Sequence, residues 1–192
     1  MIDFLLKLDE SLFLILNNWH TPWLDHFMMI LTNGKSWTPL FLLVIGMMIY
    51  KFKWQTIYML VFIGLTITLS DQIASGFLKP LVERLRPSHD PELVSLIHLV
   101  DGYKGGLYGF VSSHAANSFG VATFLWLLLR KHIKWIWIMF VWAAIFSYSR
   151  IYLGVHYPLD ILAGGVLGAA IGLIFYKLGK VLPEKTSPMP YA

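Results

Sequence analysis

Long apolar blocks with few charged residues constrain this chain more than any other feature of its sequence. Four of them qualify as membrane spans and a fifth is shorter; they cover residues 54–78, 114–129, 135–149, 158–178 and, for the short one, 36–50. A spanning helix needs roughly 20 mostly apolar residues. Only 14% of the residues are charged and 57% are hydrophobic, whereas soluble domains carry about a quarter charged residues. The sequence therefore predicts an all-α, polytopic membrane bundle of about five transmembrane helices.

Positively charged residues between these blocks orient the predicted spans, because such residues accumulate in short cytoplasmic loops. Three basic clusters fall on one side if five helices alternate: Lys51 and Lys53, then Arg130, Lys131 and Lys134, then Lys177, Lys180 and Lys185. The other side then holds residues 79–111 and 150–157. We expect a multi-pass protein of a bacterial-type plasma (inner) membrane whose site faces the periplasm or the cell exterior.

The N-terminal segment, residues 1–35, is predicted to be amphipathic and to lie in the membrane interface. Its apolar stretches, 4–16 and 23–31, are each too short to cross alone, and the polar sequence NNWHTP separates them. An interfacial position keeps Lys7, Asp9 and Glu10 in water; a broken sixth span is the alternative. The predicted membrane core covers residues 36–180, and the polar, Pro-rich tail 181–192 is expected to be disordered.

Lys79 and Arg86 stand at the start of the first outer segment with six residues between them, and Pro87 follows. Cations beside a membrane can bind the anionic phosphate of a lipid, Arg through a planar fork and Lys as a point charge. The alternative is ordinary snorkelling of basic side chains at a helix end. Glu83 and Arg84, in the same stretch, are interpreted as surface charges that pair locally.

The stretch FVSSHAANSFG, residues 110–120, places two serines and a histidine where an apolar helix begins. Ser112 or Ser113 can cap this helix, and a helix N-terminus presents free N–H groups and a positive dipole end to an anion. His114 in the first turn could then donate a proton to a leaving oxygen. The alternative is a serine cap beside an interfacial histidine.

A third polar stretch, SRIYLGVHYPLD, joins the last two apolar blocks. Pro158 suits the first position of a helix, so His156 lies just before that helix and Asp160 in its first turn. A carboxylate at this distance can hold one imidazole nitrogen, which fixes the tautomer and makes the other nitrogen a better nucleophile. Arg150 adds a cation at the end of the preceding block. The alternative pairs Asp160 with its own helix dipole.

Together the three stretches resemble the three-part signature of the type-2 phosphatidic acid phosphatase superfamily, which also includes the vanadium haloperoxidases. The family pattern reads Lys-x6-Arg-Pro, then Pro-Ser-Gly-His, then Ser-Arg-x5-His-x3-Asp. Residues 79–87 and 149–160 match the first and third parts at every specified position. The middle part departs from the pattern, because Val111 replaces proline and Ser113 replaces glycine. Serine retains the backbone N–H that the glycine would offer to phosphate, so we expect a modest effect.

The resemblance implies a metal-independent phosphoryl transfer in two steps, with no cofactor. His156 would attack phosphorus to form a phosphohistidine, Asp160 would orient it, and His114 would protonate the leaving oxygen and later activate water. The groups implied to hold the phosphate oxygens are Lys79, Arg86, Arg150, Ser112 and the N–H of Ser113. Asp71, a carboxylate in an apolar block, is expected to support Lys79 or another basic residue of the site, or else to pair helices.

The leading functional hypothesis is an integral membrane lipid phosphatase, with the lipid bilayer and a lipid phosphate as partners. Undecaprenyl diphosphate is the preferred substrate, because the compact chain has no added soluble domain for a bulky saccharide; lipid A and phosphatidylglycerol phosphate are the alternatives. Two other classes stay open, a non-catalytic lipid-binding or transport protein and a vanadate-dependent oxidase. No nucleic-acid partner is expected, since no basic stripe interleaved with aromatic residues is present.

Overall fold

Eight α-helices make up most of residues 2–181, the part of the chain that this computed structural model describes. They are α1 (Ile2–Asn17), α2 (Pro22–Thr32), α3 (Thr38–Phe52), α4 (Thr56–Asp71), α5 (Lys79–Val82), α6 (Ser113–Leu129), α7 (Ile138–Tyr152) and α8 (Pro158–Val181). A π-helical segment, Gln72–Leu78, joins α4 to α5 without a break. The predicted disordered tail, 181–192, lies outside the described residues apart from its first position, where α8 ends.

Helix α6 is the central helix of the bundle, and α8 packs most closely against it. A Cβ atom added at Gly168 of α8 would collide with the carbonyl oxygen of Ala116, and one added at Gly164 would lie 2.5 Å from that of Ser112. Small residues on facing helices allow such close backbone approach inside membranes. The two helices begin at the same end of the bundle, so their first turns lie side by side.

Helices α3, α4 and α7 surround α6 and complete an apolar core. The fully or nearly fully buried side chains of this core include Met48, Met59, Phe124, Leu125, Leu128 and Met139. Large apolar side chains also cover the outer surface of the bundle, among them Leu42, Leu43, Ile57, Val61, Leu162 and Val166. An apolar surface of this extent suits contact with lipid, because soluble monomers rarely expose large contiguous apolar patches.

The predicted apolar blocks correspond to observed helices. Block 54–78 covers α4 and the π-helical segment and begins two residues before α4, and block 36–50 begins two residues before α3. The remaining blocks lie on α6, α7 and α8, with α7 starting three residues later than predicted. Two helical segments of the described chain are long and apolar enough to cross a membrane, Gly34–Val82 and Pro158–Lys180, and Ile138–Tyr152 is a shorter apolar helix. A break at Lys53 divides the first segment into α3 and α4. The count of five spans stays a prediction.

Helices α1 and α2 pack against the rest of the chain at the end of α7, and α1 also packs against the start of α8. The side-chain amide of Asn17 donates to the carbonyl oxygen of Tyr152 at 2.8 Å and accepts the N–H of His98 at 2.8 Å. The prediction that Asp9 stays in water is wrong: this residue is 3% exposed. Asp9 can be buried because it forms an ion pair with Arg84 at 2.7 Å.

Candidate active site

The structure brings the three polar stretches of the sequence together at one end of the bundle. Helix α5 ends here, α6 and α8 begin here, and α7 ends here. The imidazole of His156 lies within electrostatic reach of Lys79, Arg86 and Arg150, and so does the imidazole of His114. Every residue that the sequence proposes for catalysis or phosphate binding therefore belongs to a single cluster.

His156 and Asp160 form a buried pair at the start of α8. His156 Nδ1 lies 3.2 Å from Asp160 Oδ2, and the same oxygen accepts the N–H of Tyr157 at 3.0 Å. The two side chains are 1% and 0% exposed. Burial, together with the nearby Arg86 and Arg150, lowers the pKa of His156 well below its ordinary value. The imidazole is thus neutral near pH 7, and donation of Nδ1–H to the carboxylate leaves the Nε2 lone pair free.

Lys79 is anchored at the end of the π-helical segment by two hydroxyl groups. Its Nζ donates to Ser113 Oγ at 2.8 Å and to Ser75 Oγ at 3.2 Å. Ser75 in turn lies 3.4 Å from Asp71 Oδ1. Asp71 therefore supports Lys79 indirectly, through Ser75. The Ser113 hydroxyl, which the family pattern lacks, serves here as an acceptor for the lysine.

Arg150 and Arg86 are buried cations held by groups that the sequence patterns do not identify. Arg150, 3% exposed, donates from Nη1 to Thr32 Oγ1 at 2.7 Å and from Nη2 to the Tyr103 hydroxyl at 3.0 Å. Arg86 donates from Nε to the carbonyl oxygen of Tyr108 at 3.0 Å. Burial and the neighbouring Arg150 lower the pKa of Arg86, yet an arginine stays protonated in proteins. Both side chains present fixed positive charge near His156.

The N-terminus of α6 is the remaining part of the site. Ser112 caps this helix, and its side-chain oxygen accepts the N–H of Ala115 at 3.4 Å. The N–H groups of Ser113 and His114 have no acceptor within the helix, so they are suited to bind an anion. The ring of His114 stacks on Phe146, with 5.0 Å between the ring centroids. Its position in the first turn places an imidazole beside this anion site.

Arg84, like its partner Asp9, lies in an environment that differs from the sequence prediction. For Arg84, the sequence predicts a surface charge with a local partner, and this prediction is wrong. Its side chain is 18% exposed and contacts Asp9 at 2.7 Å and Asp160 at 3.1 Å, both more than 70 positions away. The reason lies in the backbone: residues 84–86 run extended beside residues 107–109, with Arg86 N donating to Leu107 O at 3.1 Å. Alternate side chains of an extended segment share a side, so Arg84 and Arg86 both turn inward.

Gly109 also contributes to the site, because the extended pairing places it against the buried pair. A Cβ atom added there would lie 2.9 Å from Asp160 Oδ2 and 3.6 Å from His156 Nδ1. No sequence signal other than the glycine itself marks this position.

Residues 2–181 contain no cluster of three or more His, Cys, Asp or Glu side chains placed to hold a metal ion.

Comparison with known proteins identifies relatives over nearly the whole chain. The sequence profile of the PAP2 superfamily matches residues 56–182. A lipid A 4′-phosphatase from Bacteroides thetaiotaomicron is 42% identical, covering 99% of this chain and 86% of its own length. A lipid A 4′-phosphatase from Porphyromonas gingivalis is 32% identical, covering 92% and 75%. The crystal structure of a transmembrane PAP2-type phosphatidylglycerolphosphate phosphatase from Bacillus subtilis superposes with a TM-score of 0.67 at 26% identity, covering 94% of this chain and 88% of that chain.

We expect Gly109→Ala to lower phosphatase kcat/KM by about 10- to 100-fold, because a methyl group there displaces the His156–Asp160 pair and small misplacements of reacting groups are costly. Gly106→Ala is the matched control, since a Cβ atom at Gly106 meets no atom within 4 Å and neither glycine has a positive φ. Steady-state kinetics of the two purified variants make the comparison. Equal activities would contradict the role assigned to Gly109.

Proposed function

The chain belongs to the PAP2 superfamily, and on this premise we propose that it removes a phosphate group from lipid A at the outer face of a bacterial plasma membrane. Its membership among membrane lipid phosphatases makes it a phosphoric monoester hydrolase. The observation that carries the proposed chemistry is the convergence of Lys79, Arg86 and Arg150 on a neutral, carboxylate-bound His156.

The relatives favour lipid A over undecaprenyl diphosphate, which the sequence analysis preferred. That preference assumed that a bulky saccharide requires an additional soluble domain. The two relatives named lipid A 4′-phosphatases argue against the assumption, because this chain covers 86% and 75% of their lengths. Most of each relative's length is thus covered by this chain, which supports a compact membrane core as compatible with a saccharide headgroup. Phosphatidylglycerol phosphate remains the second candidate, supported by the superposed Bacillus subtilis structure.

The first chemical step is attack of His156 Nε2 on phosphorus. A phosphorus–nitrogen bond forms while the bond from phosphorus to the sugar oxygen breaks, and His114 protonates the departing oxygen. The leaving group is a sugar hydroxyl, whose alkoxide is too basic to depart readily without a proton. A bound phosphate dianion favours the protonated imidazole of His114. Lys79, Arg86 and the α6 N-terminus stabilise the charge on the phosphoryl oxygens.

The second step returns the enzyme to its starting state. His114, now neutral, accepts a proton from water, whose oxygen attacks phosphorus and displaces His156. Inorganic phosphate leaves, and one water molecule has been consumed. Asp160 assists both steps, because a phosphorylated imidazole carries positive charge that its carboxylate stabilises.

The outward orientation of the site is supported by the distribution of basic residues. The basic residues at the opposite end of the bundle from His156 lie in the last turn of α3 and in the connections that follow α3 and α6: Lys51, Lys53, Arg130, Lys131 and Lys134. Basic residues accumulate in short cytoplasmic loops. The phosphate site would then meet lipid headgroups of the outer leaflet.

The orientation predicts that Lys104→Cys reacts with a membrane-impermeant thiol reagent in intact cells, whereas Lys131→Cys does not. Both positions are exposed and the chain has no cysteine of its own, so each variant carries a single reactive thiol. Permeabilised cells provide the control in which both should react. Labelling of Lys131→Cys, but not of Lys104→Cys, in intact cells would show that the protein has the opposite orientation.

The substrate assignment predicts the highest kcat/KM for lipid A among lipid A, phosphatidylglycerol phosphate and undecaprenyl diphosphate. Phosphate release is measured with the purified protein in detergent, in the presence of EDTA, and mass spectrometry of the lipid A product should show the loss of one phosphate group. A higher kcat/KM for either of the other two lipids would overturn the assignment of lipid A as the substrate.

The general acid role of His114 makes a prediction for the first step, in which the alcohol or phenol is released. In this step His114→Ala should slow the reaction of lipid A far more than that of an aryl phosphate. A phenolate hardly needs a proton to depart, whereas a sugar alkoxide does. The test compares the burst of alcohol or phenol release in the first turnover. Equal loss on both substrates would show that His114 does not protonate the leaving group.

A further inference from the structure

Arg84 connects the N-terminal helix to the buried histidine–carboxylate pair. Its Nη2 donates to Asp9 Oδ2 at 2.7 Å and its Nη1 donates to Asp160 Oδ1 at 3.1 Å. The guanidinium lies over the ring of Tyr157, 3.9 Å from the centroid. One planar fork therefore contacts two carboxylates that come from α1 and α8, and it holds the Asp160 oxygen that does not face His156.

Asp9 uses both of its oxygens in the same connection. While Oδ2 accepts from Arg84, Oδ1 accepts the N–H of Leu159 at 2.8 Å. Leu159 is the second residue of α8, so this N–H is one that the helix itself leaves without an acceptor. Burial raises the pKa of the Asp9 carboxyl, and the donors Leu159 and Arg84 act against that rise. Asp9 thus holds the start of α8 and the arginine at once.

We infer that Asp9 and Arg84 are positioning residues for the nucleophile: they orient Asp160 and balance its charge, and Asp160 in turn orients His156. This inference rests on the proposed phosphatase mechanism. It assigns to α1 an indirect part in catalysis, because the residues proposed to contact the phosphate all lie outside α1.

The charges of the group explain why such an arrangement suits the reaction. Asp160 is fully buried, and an unpaired buried carboxylate tends to take up a proton. Within residues 2–181, two basic side chains contact this carboxylate: Arg84, which is charged, and His156, which is neutral. Asp9, Arg84 and Asp160 together carry one net negative charge. That charge matches the positive charge that His156 gains when it is phosphorylated.

The geometry requires an arginine rather than any cation. The two nitrogens of one guanidinium reach two different carboxylates in a fixed plane, whereas the ammonium of a lysine is a single point charge on a flexible stem. Arg84→Lys should therefore keep the positive charge but lose the orientation of Asp160. A simple ion-pair brace between α1 and α8 would tolerate this change much better.

The experiment measures kcat and KM for Arg84→Gln, Arg84→Lys and Asp9→Asn on both lipid A and an aryl phosphate. We expect kcat to fall about 10- to 100-fold, by analogy with the losses seen when hydrogen-bond partners of metal-binding histidines are removed. KM should be nearly unchanged because the cations proposed to bind phosphate are intact. Asp3→Asn, an exposed carboxylate on the same helix, is the matched control and should behave like the wild type.

A double-mutant cycle separates positioning from bracing. If Arg84 acts through Asp160, adding Arg84→Gln to Asp160→Asn should cause little further loss of kcat, since members of one catalytic unit fail together. Additive losses would overturn the inference, as would a wild-type kcat in Arg84→Lys and Asp9→Asn.

Thermal unfolding of each variant establishes whether it is folded. Asp9→Asn keeps an oxygen that can accept the N–H of Leu159, so this variant carries the test if Arg84→Gln does not fold.

The aryl phosphate keeps this test independent of the proposed substrate. A wild-type protein that hydrolyses the aryl phosphate but not lipid A would overturn the substrate assignment alone. The cycle on the aryl substrate would still support or overturn the positioning role.

Discussion

A fully buried carboxylate at the start of α8 is the constraint on which the rest of the site depends. Removing a carboxylate from water is costly unless it is paired and hydrogen-bonded. Asp160 meets this requirement with three donors: Arg84, the N–H of Tyr157 and Nδ1 of His156. The same set of bonds that makes the burial tolerable also fixes the imidazole, so stability and chemistry place the same demand on this corner of the bundle.

The close approach of α6 and α8 connects that corner to the N-terminus of α6. The N–H of Ser112 donates to the carbonyl oxygen of Asp160 at 3.0 Å, and Gly164 leaves room for the backbone of Ser112. The capped N-terminus of α6 therefore lies beside His156. A larger side chain at Gly164 or Gly168 would separate the two helix ends and with them the anion site and His156.

Local features of the site could be predicted from the sequence, and features made by distant segments could not. The cap at Ser112 and the spacing of His156 and Asp160 each involve residues within one turn of helix, where spacing determines contact. Arg84 pairs with Asp9 across 75 positions and Arg150 with Thr32 across 118, so their partners depend on how α1 and α2 dock. The choice among the candidate lipids lies outside the local patterns as well, because the polar stretches predict only a site for phosphate, a group that all the candidate lipids carry.

The central claim is that His156 carries the phosphoryl group between the two steps. The most direct test is an alkaline quench of the protein during turnover of a phosphate-labelled substrate, followed by mass spectrometry of its peptides. If His156 is the nucleophile, phosphate should be found on His156 and should be absent in His156→Ala. Its amount should increase in His114→Ala supplied with an aryl phosphate, because water activation is then impaired while the first step is not. Phosphate on another residue, or turnover by His156→Ala at the wild-type rate, would show that His156 does not carry the phosphoryl group.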